Sequence, residues 1–312
     1  MESPRAVTQE QWEQRKEKAL ARIREISDLS VPLDALIPET ASSSTVAEKP
    51  RNPALKTVKA NSSTFGSLGW KEFKELYRIR CAVMAQKENQ GNLQSFLHTI
   101  ANGCSDACFN LVDMSLEHNC LNFLLKNLKT VMTLTELNLA RNPVGDEGAT
   151  SLSEYLTTNS TLKVLKLESA LIGPAGQARI FSVLQAHNYH LETLDLGGSG
   201  SYSTPSKNVI GDAGALAGGM AMKVNTQLTC LSLADCRVSG QQLEVFGKGL
   251  AKNFILTKLD LSNNALGDGG MRVFATALET LRLTELNLAR TEIRDIGAHA
   301  LAQGLRSWNP PV

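Results

Sequence analysis

Residues 256–266, LTKLDLSNNAL, carry leucine at the first, fourth, sixth and eleventh positions and asparagine at the ninth. Leu259 and Leu261 sit two apart, as the same-face residues of a short strand do. Asn264 marks the point where the chain leaves the strand and turns, and Gly267 to Leu278 then reads as a helix. The unit recurs, with its first leucine-type position at Leu111, Leu134, Leu162, Leu191, Leu228, Leu256 and Leu283, in steps of 23, 28, 29, 37, 28 and 27 residues. No single unit can bury its own leucines, but stacked units bury them in one continuous core, and seven are enough for a stable array. This periodicity constrains the chain more than its length of 312 residues does.

Two further features repeat. The ninth positions, expected to form a polar ladder, are Asn119, Asn142, Ala170, Asn208 (or Ser199), Cys236, Asn264 and Thr291. Buried amides there would satisfy neighbouring backbone, so Ala170 is expected to mark a weak point. The helices open on Gly145-Asp146-Glu147-Gly148, Gly211-Asp212-Ala213-Gly214 and Gly267-Asp268-Gly269-Gly270, with Asp expected as N-cap and Gly where helix and strand approach closely. Gly173-Pro174 uses proline at a helix start, and Ser239 to Gln242 departs most, so the fifth repeat is expected to enter its helix differently. The first repeat, LVDMSLEHNCL from Leu111, is degenerate.

The step of 27 to 29, the Asn or Cys ladder and the Gly-Asp-x-Gly turns resemble the ribonuclease-inhibitor-like class of leucine-rich repeats over residues 111–307. That resemblance implies an α/β solenoid, a right-handed horseshoe with parallel strands on the concave face and helices outside. Members of the class bind proteins, regulate a GTPase or build cytoskeletal and ciliary assemblies, so it implies a fold and leaves the function to the site.

Residues 8–29 are patterned as an amphipathic helix with Trp12, Leu20, Ile23 and Ile26 on one side. Residues 30–64 change to Pro, Ser, Thr and Ala and read as a disordered linker, so residues 1–64 form an N-terminal extension. Residues 65–110 hold two expected helices, about 69–87 and 91–102, which would cap the first repeat. Residues 111–312 are the repeat domain, with a last helix over about 298–307 and Trp308 beyond it.

Formal net charge is +1, which gives no electrostatic case for a nucleic-acid partner. No apolar stretch is long enough to span a membrane, and the N-terminus lacks the apolar region of a secretory signal. With only six cysteines, unevenly placed, a cytoplasmic protein is expected, with a nuclear, cytoskeletal or ciliary location also open. The five histidines accompany no nucleophile motif, and Cys104 with Cys108 reads as a pair of buried thiols rather than a zinc site. No enzyme, metal or cofactor is expected.

Function is expected on the concave face and rim. The candidate contacts for a protein partner are Glu136, Asn138, Arg141, Lys166, Glu168, Asp195, Asp235, Lys258, Asp260, Asn263, Glu285 and Arg290. Tyr202 joins them from an insertion of about nine residues at 197–207, expected as a flexible rim loop. Charge reversal at Asp195 and Asp260 is expected to weaken the partner and leave folding intact. A non-enzymatic scaffold or adaptor is the leading expectation, with the helix at 8–29 as a second attachment point. Two alternatives stand beside it: a regulator of the kind that activates the Ran GTPase, with Arg141 and Arg290 as rim contacts, and a structural subunit of a cytoskeletal or axonemal assembly.

Overall fold

The computed structural model describes residues 68–187, 190–198 and 207–307. The helix read at 8–29, its linker, Tyr202 and Trp308 lie outside these residues. Two helices, α1 (Trp70–Val83) and α2 (Gln90–Gly103), precede seven strand–helix units. These are β1 (Cys108–Asn110) with α3 (His118–Leu128), β2 (Glu136–Asn138) with α4 (Gly145–Thr158), and β3 (Val164–Lys166) with α5 (Pro174–Ala186). Then come β4 (Thr193–Asp195) with α6 (Gly211–Val224), β5 (Cys230–Ser232) with α7 (Gly240–Leu250), β6 (Lys258–Asp260) with α8 (Gly267–Leu278), and β7 (Glu285–Asn287) with α9 (Asp295–Ser307). The strands form one parallel sheet in sequence order. Each middle residue pairs with its counterpart one repeat on, as Leu137 with Leu165 and Leu165 with Leu194. Among the described residues no helix is long and apolar enough to cross a membrane.

The first strand corrects the expected register. Cys108 pairs with Glu136 and Phe109 with Leu137, so the first repeat begins at Asp106, five residues ahead of Leu111. Its step to Leu134 then becomes 28 residues, in line with every other step except the 37 that holds the insertion. Asp106, Phe109 and Met114 fill slots held elsewhere by leucine or asparagine, which hides the pattern, and Asn119 lies in α3 rather than on the ladder. The two preceding helices cover this end. Phe73 of α1 is fully buried, its ring centroid 6.1 Å from that of Phe109, and Tyr77 stacks against Phe96 of α2 at 5.4 Å. At the other end Leu286, Leu288, Ile293 and Leu301 are only partly buried.

The ladder is shared between repeats. Asn142 Oδ1 accepts the N–H groups of Met114 and Leu116, each at 3.0 Å, from the preceding repeat, while its Nδ2 donates to the carbonyls of Leu111 and Leu139. Asn208 Oδ1 accepts from Ala170 and Ile172 at 3.1 and 2.9 Å, and Asn264 Oδ1 from Val238 at 2.8 Å. One asparagine therefore serves two repeats, and Met114, Ala170 and Cys236 occupy the alternate rungs without leaving those donors bare. No weak point arises at Ala170, because Asn208 supplies what it lacks.

The aspartates of the Gly-Asp-x-Gly turns also act one repeat away. Asp146 and Asp268 stand second in α4 and α8, and neither of those helices has a side-chain cap of its own. Asp146 Oδ1 accepts the N–H groups of Gly173 and Gly176, at 2.7 and 3.0 Å, and so caps α5. Asp268 Oδ1 does the same for α9 through Arg294 and Gly297, both at 2.9 Å. The expected N-cap role is thus real but falls on the next helix. The fifth repeat differs, as expected: Ser239 and Gln242 form a capping box, and Gln242 Nε2 donates to Asp212 Oδ1 at 3.0 Å.

Candidate protein-binding face

Strand alternation decides what the sheet presents. The middle residue of each strand from β1 to β6 is buried against the helices, and its two neighbours stand on the opposite face. That open face carries Glu136, Asn138, Lys166, Asp195, Lys258, Asp260 and Glu285, together with Cys108, Asn110, Val164, Thr193, Cys230, Ser232 and Asn287. Cys108 and Asn110 belong to this row only in the corrected register.

Charge on the face is largely paired across neighbouring or nearly neighbouring strands. Lys166 Nζ lies 2.7 Å from Glu136 Oε1, and Lys258 Nζ pairs with Glu285 Oε1. The carboxylate of Glu285 holds the Lys258 ammonium above its usual range. Asn287 Nδ2 donates to Asp260 Oδ2 at 3.0 Å. Burial, then the neighbouring Glu136, pushes the Cys108 thiol up, and burial does the same for Cys230 against the opposing pull of Lys258. Neither thiol is poised as a nucleophile.

Four of these polar residues hold the backbone as well. Asn138, Asp195, Asp260 and Asn287 each accept, through Oδ1, the N–H two residues on, at 3.1, 2.9, 2.8 and 3.1 Å. These are Asx turns that end the strands. The expectation that Asp195 and Asp260 can be reversed to Lys without touching the fold is corrected on this ground: lysine cannot accept those hydrogen bonds. Asparagine can.

Beyond the strand ends lies the rim. Its turn residue is left-handed in six repeats, Asp113, Arg141, Ser169, Asp235, Asn263 and Arg290, with φ between 53° and 59°. Asp and Asn are at home there; arginine is not, and Arg141 and Arg290 are exposed. A rim cleft of about 350 Å³ runs beside β5 to β7 and is lined by Lys207, Asp235, Arg237, Asn263, Arg290 and Glu292 among others. Lys207 Nζ and Asp235 Oδ1 pair at 2.8 Å with both side chains largely buried. Sequence reading missed Lys207, Arg237 and Glu292, since the insertion in the fourth repeat hides the first and the two-residue spacing of left-handed sites hides the others. Of the expected contacts, Asp235, Asn263 and Arg290 meet in this cleft, Glu136 and Lys166 meet on the sheet, Lys258, Glu285 and Asp260 lie at its far end, and the N–H of Arg141 donates to the carbonyl of Glu168 at 2.7 Å on the rim outside the cleft.

Comparison with known proteins bears on this geometry. A leucine-rich-repeat family model matches residues 132–153, 252–275 and 283–302. Ribonuclease inhibitor of Sus scrofa is 32% identical over 181 residues, 57% of this chain and 34% of that protein. The repeats of this chain are similar to those of ribonuclease inhibitor. A Tonsoku-like protein of Mus musculus is 28% identical over 249 residues, 77% of this chain and 17% of the relative. This leucine-rich-repeat chain therefore spans about a third or less of the length of these relatives. Among solved structures, leiomodin-1 actin-binding site 2 aligns with 59% of this chain and 87% of its own at 18% identity and a TM-score of 0.35. Leucine-rich-repeat proteins generally serve as protein-interaction scaffolds, and the row of exposed polar side chains on a rigid sheet is the feature such a role uses.

Proposed function

We propose that this protein is a non-enzymatic scaffold that holds a protein partner on the open strand face and its rim. The observation that carries the reading is the face itself: no described element covers it, and it presents half-exposed polar and charged side chains at fixed spacing on a parallel sheet. The contacts are Glu136, Lys166, Lys258 and Glu285 on the strands, with Arg141, Asp235, Asn263 and Arg290 at the rim. All six cysteines are free, which suits a reducing, intracellular site of action. Residues 8–29 would supply a second, linked attachment, and two linked sites raise avidity without a large single interface.

Affinity recovery from native extract, followed by mass spectrometry, tests this with the full chain. Lys166→Glu with Lys258→Glu breaks the strand-face charges, and Trp12→Asp with Ile23→Asp breaks the apolar side of the first segment. Loss of one defined partner in the strand-face variant supports the reading. Full recovery from that variant would sink it, and loss only in the second would move recognition to residues 8–29.

A further inference from the structure

The side of the array away from the strand face carries an unexplained surface. Of the nine large hydrophobic side chains that stand exposed among the described residues, five fall on α6, α7 and the turn after α7: Leu216, Met220, Val224, Val245 and Phe254, at 38–58% exposure. Leu216, Met220 and Val224 follow each other at four-residue steps, so they form one row along α6. That row lies opposite the buried side of the helix, which is made of Gly214, Ala215, Gly218, Gly219, Ala221 and Met222. Core packing does not account for it.

Glycine brings the two helices together beneath this row. A Cβ on Gly249 would stand 1.9 Å from the carbonyl oxygen of Gly219, and one on Gly219 would stand 3.0 Å from the carbonyl oxygen of Val245. Asn253 Nδ2 donates to the carbonyl of Met222 at 2.7 Å, which ties the turn bearing Phe254 to the end of α6. The five side chains thus share one surface region at the junction of two closely packed helices. Contiguous exposed apolar surface of this kind marks an interaction site.

Charge names the occupant. Lys223, Lys248 and Lys252 are exposed around the C-terminal halves of α6 and α7, and none is in an ion pair among the described residues. Glu279 stands at the corresponding end of the next helix, and Asp212 at the start of α6 is engaged by Gln242. A second copy seated by two-fold symmetry would set lysine against lysine. Residues 8–29 hold five acidic and five basic side chains and bring no net charge to answer the lysines. We propose that the outer face of α6 and α7 docks an amphipathic helix of a partner protein, with an apolar ridge on Leu216, Met220 and Val245 and acidic flanks toward Lys223, Lys248 and Lys252. This is a helix laid on an apolar surface and steered by charge, and it is separate from the strand-face contact.

Two labelled synthetic helical peptides test it by fluorescence anisotropy against the full chain, one with a leucine ridge flanked by glutamates, the other with the same ridge flanked by lysines. The acidic peptide should bind at least about tenfold more tightly than the basic one, with the preference weakening as salt rises. Met220→Asp should lose that binding with an unchanged thermal melt, since Met220 is exposed. Lys223→Glu, Lys248→Glu and Lys252→Glu together should invert the preference, a result that misfolding cannot produce. Equal binding of both peptides, or acidic-peptide binding that survives Met220→Asp, overturns the proposal. So does a self-association removed by Met220→Asp, or retention on phosphatidylserine vesicles without peptide binding, which would assign the face to a second copy or to a lipid surface. None of these results alters the strand-face reading, because Met220 is not on that face.

Discussion

Asn208→Ala is expected to damage two repeats at once. The side chain is fully buried and makes four hydrogen bonds to backbone: it accepts from Ala170 and Ile172 at 3.1 and 2.9 Å and donates to the carbonyls of Leu167 and Leu196 at 2.7 and 2.8 Å. Alanine would leave two donors bare in a dry interior, at roughly 1–3 kcal/mol each, and two carbonyls with reduced satisfaction, for a total of about 3–5 kcal/mol. Cys236→Ala is the control, since Cys236 gives up a single thiol contact to the carbonyl of Leu196 at 2.9 Å. It should lose roughly 1 kcal/mol for that contact and a little more for the small cavity. Urea unfolding followed by circular dichroism measures both. With a slope of roughly 3 kcal/mol/M for an array of this size, Asn208→Ala should lower the midpoint by about 1–1.7 M and broaden the transition as nearest-neighbour coupling fails between repeats three and four. A loss under about 1 kcal/mol, or one equal to that of Cys236→Ala, would refute the shared-rung argument.

Other outcomes follow from the same contacts. Asp146→Ala should cost about 1–2 kcal/mol and raise amide exchange at Gly173 and Gly176, at the start of α5, rather than at the start of its own helix, which hydrogen exchange read by NMR would separate. Burial pushes the Cys104 and Cys120 thiols up to about 12 and raises Cys236 as well, from an ordinary 9.0. A raised thiol favours the folded state fully below pH 9 and loses that contribution as pH climbs toward 12, so urea midpoints should fall between pH 8 and pH 10, by about 1 kcal/mol per buried thiol. Gly249→Ala should disrupt the packing of α7 on α6, because its Cβ would meet the Gly219 carbonyl oxygen at 1.9 Å. Gly267→Ala meets nothing within 4 Å but sits at φ +59°, so it should cost only about 1 kcal/mol of backbone strain in a thermal melt.

The parts of this fold that were legible in the sequence are those written within one repeat. Leu259 and Leu261 announce a strand by their spacing, and Gly267 followed by apolar residues on one side announces a helix. What stayed hidden is written between repeats. The bond from Ala170 to Asn208 joins residues 38 apart, and that from Gly173 to Asp146 joins residues 27 apart, so no window on the chain shows either. The register of the first strand was lost because Asp106 and Phe109 stand where leucine is the signal; Asp106 is exposed, and Phe109 is buried against Phe73 of the helix before it. On the candidate face, strand alternation named Glu136, Lys166 and Lys258 correctly as outward residues. It could not show that Asp195 and Asp260 also hold their turns, or that Lys207 neutralises Asp235 across the insertion. Leu216, Met220 and Val224 lie at helical spacing that does not tell an inward row from an outward one, and it is the burial of Gly214, Gly218 and Gly219 on the other side of α6 that places them outward.

The central claim, that the strand face and rim carry the protein partner, is tested most directly by titrating a recovered partner against the wild-type chain and the Arg141→Glu, Arg290→Glu variant. Both arginines are exposed, and neither side chain takes part in an ion pair among the described residues, so thermal melts of the two proteins should superpose. The variant should lose about tenfold in affinity, mainly through slower association, and the loss should shrink as salt is raised. Unchanged affinity in that variant, with binding abolished instead by Met220→Asp on the helical side, would contradict the claim.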